Sequence, residues 1–529
     1  MSKTGTPSTP PLRTIGDIVR VHAEANPNRV ACTFEGRVTT YAMLHAYTNK
    51  VAHALLASGV KADGRVGYLG KNSDRYLEIL FGAAKMGAVC LPIGWRLAAA
   101  EVAHIVEDGE ASILFVGPEF GDLAREAIKL IDRPIRIVEL ESESSDGFTA
   151  WRGGHDTDDP AIDVDPSSTA LQLYTSGTTG RPKGVMLSHD NLLLTWTKVG
   201  DADLSWYRWT DDDVSLMAMP VAHIGGTGWG LISLREGASV VILKEFDPQA
   251  VLQVMEPERI TKMFMVPAAL NFLIQMPGAN DIDFGHLKLI LYGASPMPLA
   301  LLRQCMDVFG CDFCQQYGMT ETCGTIVYLP PEDHDPEGNR RMRSAGLPMP
   351  GVELKIMDAD GKALPPEEVG EVATRSPSNM LGYWKKEAAT RETIDGDGWL
   401  RSGDAGYLDA DGYLYIHDRV KDMIISGAEN IYPAEVESAM FGHPDIADVA
   451  IIGVPDDKWG EAVKAVIVLK PGTEANEADI LTFTRERIAS FKVPKSIDFV
   501  DELPRNATGK VLKRTLREPY WAGRDRAVN

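Results

Sequence analysis

The stretch Ala170-Leu-Gln-Leu-Tyr174-Thr175-Ser176-Gly177-Thr178-Thr179-Gly180-Arg-Pro-Lys183-Gly-Val-Met-Leu-Ser-His189 decides how the rest of the chain is read. It opens with an apolar run that predicts a strand over 170–174. A block of hydroxyl and glycine residues follows, and then a lysine. Glycines let backbone amides turn toward an anion, and hydroxyls add further donors. Lys183 supplies positive charge. Such a loop suits a polyphosphate. It is not the G-x-x-x-x-G-K-[ST] loop that opens a helix, because here the lysine is followed by glycine and a second predicted strand over 185–189. A Ser/Gly linker is the plainer alternative, and the Arg-Pro-Lys-Gly ending between two apolar strands argues against it.

Outward from this loop, short apolar runs alternate with amphipathic segments. Strands are predicted over 65–69, 112–116, 239–243, 259–264 and 287–292. Helices are predicted over 74–88, 268–275 and 299–309, and another is opened by Asp247-Pro248, an N-cap followed by proline at the first helical position. Repeated strand–helix units imply an α/β fold of mixed sheets covered by helices. Near residue 345 the pattern changes. Short strands over 351–357 and 370–374, set between Asp-Gly, Pro-Pro and Pro-Gly turns, read as a β-rich subdomain. A strand over 412–417 then runs into the charged stretch 418–422. Beyond it lies a compact α+β segment, with helices over 434–441 and around 478–490 and strands over 449–454 and 462–469. The expected organisation is a flexible tail over 1–12, a large domain over 13–420 and a small domain over 421–529.

Length and charge narrow the classes further. At 529 residues the chain exceeds one ordinary core, so two or more domains are expected. With 53 Lys and Arg against 75 Asp and Glu, the formal net charge is −22, which disfavours nucleic acid or an anionic membrane as partner. No run of about 18 apolar residues occurs, and the Ser-, Thr- and Pro-rich start lacks the apolar centre of a signal peptide. A cytoplasmic enzyme without stable membrane insertion is therefore expected. Six cysteines do not make a disulfide scaffold at this length. Cys311 and Cys314 form a C-x-x-C pair, but on a strand that spacing sends the thiols to opposite faces. No second pair supplies further ligands, so structural zinc is not expected.

The 174–184 loop closely resembles the signature of the adenylate-forming superfamily, which contains acyl-CoA synthetases, peptide-synthetase adenylation domains and beetle luciferases. The likeness extends in the expected order over nearly the whole chain, toward the acyl-CoA synthetase branch. It implies that Thr175, Ser176, Gly177, Thr178, Thr179, Gly180 and Lys183 hold the phosphates of ATP. Gly293-Ala294-Ser295 resembles the turn that presents backbone to adenine. In Gln316-Tyr317-Gly318-Met319-Thr320-Glu321, the resemblance stacks the tyrosine on adenine and sets the threonine at the α-phosphate. Glu321, with Thr175, would hold Mg²⁺, a hard cation that takes carboxylate oxygen. Asp404, in Trp399-Leu-Arg-Ser-Gly-Asp404, would accept from both ribose hydroxyls, a task for a two-oxygen acceptor. Asp418-Arg419-Val-Lys421-Asp422 resembles the interdomain hinge, with Arg419 at the ribose and Lys421 as pivot. The 426–430 turn, with Ser426, Gly427 and Ala428, would approach the pantetheine arm of coenzyme A. Leu503-Pro-Arg-Asn-Ala-Thr-Gly509-Lys510 matches the motif of the adenylation lysine, whose charge can bridge carboxylate and α-phosphate. Without the surrounding motifs, Glu321 reads as a helix cap, Asp404 as a turn residue and Lys510 as solvated surface.

Met219-Pro-Val-Ala-His223-Ile-Gly225-Gly226 resembles the acid-pocket motif, with Ala222 where most relatives carry an aromatic. Amino-acid-activating relatives hold an aspartate where His223 stands, so an amino-acid substrate is not expected. His223 contacts the acyl carboxylate, gates the thiol tunnel, or is a core histidine. Gly225 and Gly226 remove side-chain volume, and Trp229, Met263, Met265 and Phe272 offer apolar wall; methionine adapts to varied shapes. A medium or long fatty acid, or a bulky aryl or alicyclic acid, is expected over acetate. The implied catalytic set is Lys183, His223, Thr320, Glu321 and Lys510. The implied reaction joins a small-molecule carboxylic acid to AMP from ATP with Mg²⁺, then passes the acyl group to coenzyme A. Two rivals stay open: loading of a carrier protein in trans, and a non-catalytic nucleotide-binding homologue. The resemblance also leaves a homodimer open.

Overall fold

Apolar strands that alternate with amphipathic helices can bury both faces only as layers, and the chain builds two such sheets. The structure, a computed structural model, describes residues 12–175, 182–202, 204–419, 422–426, 429–456, 458–473, 475–505 and 511–522, with backbone alone at 418, 419 and 430. The first sheet has seven strands in the order Gly382–Tyr383, Lys183–Ser188, Thr169–Thr175, Val89–Ile93, Arg65–Leu69, Ile113–Val116 and Arg136–Glu139. Its central strands Arg65–Leu69 and Val89–Ile93 pair in parallel and are buried at every position. That is the pattern of parallel strands covered on both faces. The second sheet has nine strands, in the order Leu347–Pro348, Gly324–Leu329, Asp312–Met319, Leu289–Gly293, Lys262–Met265, Val214–Met217, Ser239–Ile242, Val30–Phe34 and Arg37–Thr40.

Local chemistry sets the element ends. Asp247 Oδ1 accepts from Ala250 N at 2.7 Å, and Pro248 opens the helix Pro248–Met255 as expected. The strand expected to reach His189 stops at Ser188. Ser188 Oγ accepts from Asn191 N at 3.0 Å and Asn191 Oδ1 accepts from Ser188 N at 2.9 Å, a reciprocal cap that turns the chain into the helix His189–Asp201. The helix expected over 74–88 ends at Lys85, because Gly87 takes the left-handed φ of +73°.

Four antiparallel strands, Glu353–Met357, Gly370–Arg375, Leu400–Leu408 and Leu414–Arg419, form the β-rich subdomain. A separate sheet follows. It joins Glu429–Ile431, Ile424–Ser426, Gly460–Leu469 and Ile446–Asp456, with Ser496–Phe499 parallel to Gly460–Leu469. The helix Pro433–Phe441 packs on it, and Phe441 also touches the core of the nine-stranded sheet. No helix among the described residues is long and apolar enough to cross a membrane. Cys314 packs on one side of the nine-stranded sheet and Cys305 and Cys311 on the other. Burial pushes all three thiols up.

Candidate active site

The hydroxyl- and glycine-rich loop closes a hairpin, since Thr175 and Lys183 are partners in the antiparallel pair Thr169–Thr175 and Lys183–Ser188. Ser176, Gly177, Thr178, Thr179 and Gly180 lie outside the described residues. The base of the hairpin is tightly filled. A Cβ on Gly184 would stand 2.6 Å from Gln172 Nε2 and 3.0 Å from Tyr174 Cζ, so these side chains pack closely on the glycine. The two-residue strand Gly382–Tyr383 adds to the hairpin edge opposite Met186 and Val185. It brings the Tyr383 ring 4.8 Å from Lys183 Nζ. The Tyr383 hydroxyl donates to Glu321 Oε1 at 2.9 Å, and Met380 N donates to the Glu321 carbonyl at 2.8 Å. Lys183 and Glu321 thus belong to one cluster.

A second cluster lies along the strand Asp312–Met319. Tyr317 donates its hydroxyl to Asp404 Oδ2 at 2.7 Å, which joins the expected adenine and ribose residues. A Cβ on Gly293 would stand 2.0 Å from the Gln316 carbonyl, and Ala294 takes a left-handed φ of +66° to turn the chain toward the half-buried Ser295. Gln316 Oε1 is buried without a hydrogen-bond partner among the described residues. A Cβ on Gly318 would stand 1.8 Å from the Gly324 carbonyl, so the Thr320–Thr322 turn folds directly back on its own strand. Thr322 Oγ1 fixes that turn, accepting from Met319 N at 3.0 Å and donating to the Gly324 carbonyl at 2.9 Å. Thr320 and Glu321 are held at its start. The backbone of Arg419 pairs with Asp404, and its side chain lies outside the described residues.

The expected acid-pocket residues His223, Gly225, Gly226 and Trp229 lie at the N-cap and in the first half of one helix. His223 precedes the helix Ile224–Arg235, and its Nε2 is buried without a partner among the described residues. Burial, then the charge of Arg96, pushes its pKa down to about 4. Gly226 does not open room for a ligand. A Cβ there would meet the Pro220 carbonyl at 2.2 Å and the Met219 carbonyl at 2.5 Å, so the glycine serves a close backbone approach. At Gly225 the Cβ would lie 2.9 Å from the edge of the Phe264 ring. Met263 and Met265 are fully buried with Ile290 and Tyr292, whereas Phe264 between them is half-buried and faces Gly225. Phe272 is 52% exposed. Trp229 is buried, with its indole N–H donating to the Leu216 carbonyl at 3.0 Å. Of these aromatic and methionine side chains, Phe264 is the one whose ring edge stands beside Gly225.

In the small domain, Ser426 pairs with Glu429 and Gly460, and Ile425 N donates to Glu461 Oε2 at 3.0 Å. Lys421, Gly427, Ala428 and Lys510 lie outside the described residues. Arg505 and Val511 form the bridge that brackets the segment containing Lys510.

Residues 19–384 match the AMP-binding enzyme family, and residues 435–510 match the AMP-binding enzyme C-terminal domain. The chain belongs to the AMP-binding enzyme family. This places it in the adenylate-forming superfamily. The AMP-binding enzyme is 42% identical over 521 residues to a fatty acid–[acyl-carrier-protein] ligase of Streptomyces coeruleorubidus, covering 98% of this chain and 99% of that one. It is 38% identical over 502 residues to a feruloyl-CoA synthase of an Amycolatopsis species, covering 94% and 97%. The crystal structure of an anthranilate CoA ligase in complex with anthranoyl-AMP superposes with a TM-score of 0.88 at 30% identity, covering 96% of this chain and 97% of that one.

Two residues of this AMP-binding enzyme were missed from sequence. Tyr383 lies 62 positions from its partner Glu321, in a strand of two residues, too short to show a period. Phe264 is flanked by apolar residues, so alternation could not say which face it takes. The nearest signal for Tyr383 was the Gly-Tyr-Trp run at 382–384, with a φ of +142° at Gly382.

Proposed function

We propose that this AMP-binding enzyme is an ATP-dependent carboxylic acid–CoA ligase that acts in two steps. The acid carboxylate attacks the α-phosphorus of ATP, the bond to pyrophosphate breaks, and an acyl-adenylate remains. A thiol then attacks the acyl carbon and AMP leaves. The observation that carries the reading is the convergence of Lys183, Tyr383 and Glu321 at one cluster with Tyr317 and Asp404 at another. The first suits a charged triphosphate, the second a nucleoside. Positioning and charge stabilisation supply most of such a rate enhancement, and no protein nucleophile is required.

Mg²⁺ fits the residues present. Glu321 is 7% exposed, the partner its carboxylate has among the described residues is a neutral hydroxyl, and a hard divalent ion takes carboxylate and phosphate oxygens. Glu321, with Thr175, would hold it, and bound there it would offset the charge that develops on pyrophosphate. Lys183 would orient the phosphates, Thr320 the α-phosphate and Lys510 the developing charge between carboxylate and phosphate. Arg419 would meet the ribose, and Lys421 would be the pivot by which Ser426, Gly427 and Ala428 approach the thiol. His223, whose pKa burial pushes down to about 4, would border the acyl group.

The apolar surface of Phe264 beside Gly225 favours a medium or long fatty acid or a bulky aryl or alicyclic acid. A screen of acid-dependent pyrophosphate release over such acids, acetate and propionate tests this, and highest kcat/KM for acetate would overturn it. Phe264→Ala should move the preference toward bulkier acids. Carrier loading in trans is the second reading, favoured by the 42% identity to a fatty acid–[acyl-carrier-protein] ligase. Thioester formation with free coenzyme A supports the first reading, and transfer only to a carrier protein the second.

A further inference from the structure

We propose that Tyr383 is the positioning residue of the adenylation site, aligning Glu321 with its hydroxyl and Lys183 with its ring. The inference rests on the adenylation reading above. Three distant segments meet at this side chain: the hairpin that carries Lys183, the turn that carries Glu321, and the edge strand Gly382–Tyr383. The segment is fastened on both sides. Tyr383 pairs with Val185, two residues from Lys183, and Met380 N donates to the carbonyl of Glu321 itself. Tyr383 and Glu321 are each 7% exposed, so their hydrogen bond is shielded from water. Bonds from a donor to an ionised acceptor are among the stronger ones, and burial strengthens them.

The chemistry of the residue matters as much as its place. A phenol donates one hydrogen bond and carries no charge, so it orients the Glu321 carboxylate and leaves its negative charge for a divalent cation. An arginine or lysine there would neutralise the same carboxylate. The ring face attracts the Lys183 ammonium through its quadrupole, without a directed bond that would occupy the N–H donors needed by phosphates. One side chain thus sets the distance between the acidic and basic halves of the site.

The test uses the full-length chain with Tyr383→Phe and Tyr383→Leu, and two readouts. The first is binding of Mn²⁺·ATP followed by electron paramagnetic resonance. The second is the Mg²⁺ concentration for half-maximal pyrophosphate exchange. Tyr383→Phe keeps the ring and loses the hydroxyl. It should weaken cation binding about tenfold, the worth of one hydrogen bond to a charged group, while the KM for ATP at saturating Mg²⁺ changes by less than about twofold. Tyr383→Leu loses the ring too and should raise that KM several-fold. In a Glu321→Gln background, Tyr383→Phe should cause no further change in cation requirement. The proposal is overturned if Tyr383→Phe leaves Mn²⁺·ATP binding unchanged, or lowers only thermal stability and kcat. It is also overturned if the two substitutions act additively. Absence of exchange in the unmodified chain with every acid would instead remove the adenylation reading, while Mn²⁺·ATP binding still reports whether Tyr383 aligns the cation site.

Discussion

The proposed nucleotide side of the large domain and the attachment of the small domain are built in opposite ways. In the large domain, the groups proposed to face the nucleotide are tied to one another: Tyr383 to Glu321, Tyr317 to Asp404, and Thr322 to both ends of its turn. Gly293 and Gly318 let backbones approach closer than any side chain would permit. The small domain has its own core, and aromatic side chains are among its contacts with the large one. His417 stacks on Tyr432 with ring centroids 4.4 Å apart, and Phe441 lies against the other core. Parting a ring stack gives up apolar contact, whereas loosening the proposed nucleotide platform would strand buried polar groups such as the Glu321 carboxylate. The contrast suits a reaction in which one platform keeps the nucleotide and a small domain exchanges the groups presented to it.

The strongest way to break this contrast is Lys510→Ala. Loss of a charge that acts in the transition state should slow adenylation about 10²–10³-fold. Thioester formation from supplied acyl-adenylate should stay within a few-fold. Equal loss of both half-reactions in a folded variant would mean a single fixed arrangement. Asp404→Ala probes the platform. Removing an acceptor for two ribose hydroxyls should cost about 2 kcal/mol, read as a KM for ATP raised about 30-fold. An unchanged KM would detach Asp404 from the nucleotide.

Substitutions at the ring stack should act more gently. His417→Ala removes an aromatic pair worth about 1 kcal/mol, so the ratio of the two half-reaction rates should shift by about fivefold, with nucleotide affinity unaltered. Parallel loss of nucleotide affinity would show that the stack belongs to the platform. The smallest effect on activity is expected from acid. His223 stays neutral down to about pH 4, so the rate should show no inflection near 6.5. Stability should respond instead. His45, His189, His223 and His334 each have a pKa pushed down to about 4, chiefly by burial, and all lie in the large domain. The unfolded chain binds more protons than the folded one between about pH 4 and 6.5, so stability should fall as pH drops through that window. Calorimetry should show the large domain losing its melting temperature there.

Much of this site was legible because its motifs carry their own geometry. A glycine-rich loop between two apolar strands must close on itself, and Lys183 does face Thr175 across the hairpin. What was not legible depends on partners distant in sequence or on parity. Nothing near Tyr383 points to Glu321. In the strand Lys262–Met265, Lys262 shares a face with Phe264 but is itself buried, so the strand's short pattern did not show which of Met263 and Phe264 is the less buried. Gly226 looked like room for a ligand because a sequence does not show which backbone a missing side chain admits. The stack of His417 on Tyr432 joins residues on either side of the charged stretch and is likewise invisible to periodicity.

The most direct measurement is isotope exchange between pyrophosphate and ATP in the presence of an apolar carboxylic acid and Mg²⁺, with no thiol added. An adenylate formed on the platform before any acceptor arrives predicts exchange that depends on the acid, proceeds without coenzyme A, and is lost in Glu321→Gln. Exchange that begins only when coenzyme A is added, or no exchange with any acid, would contradict it.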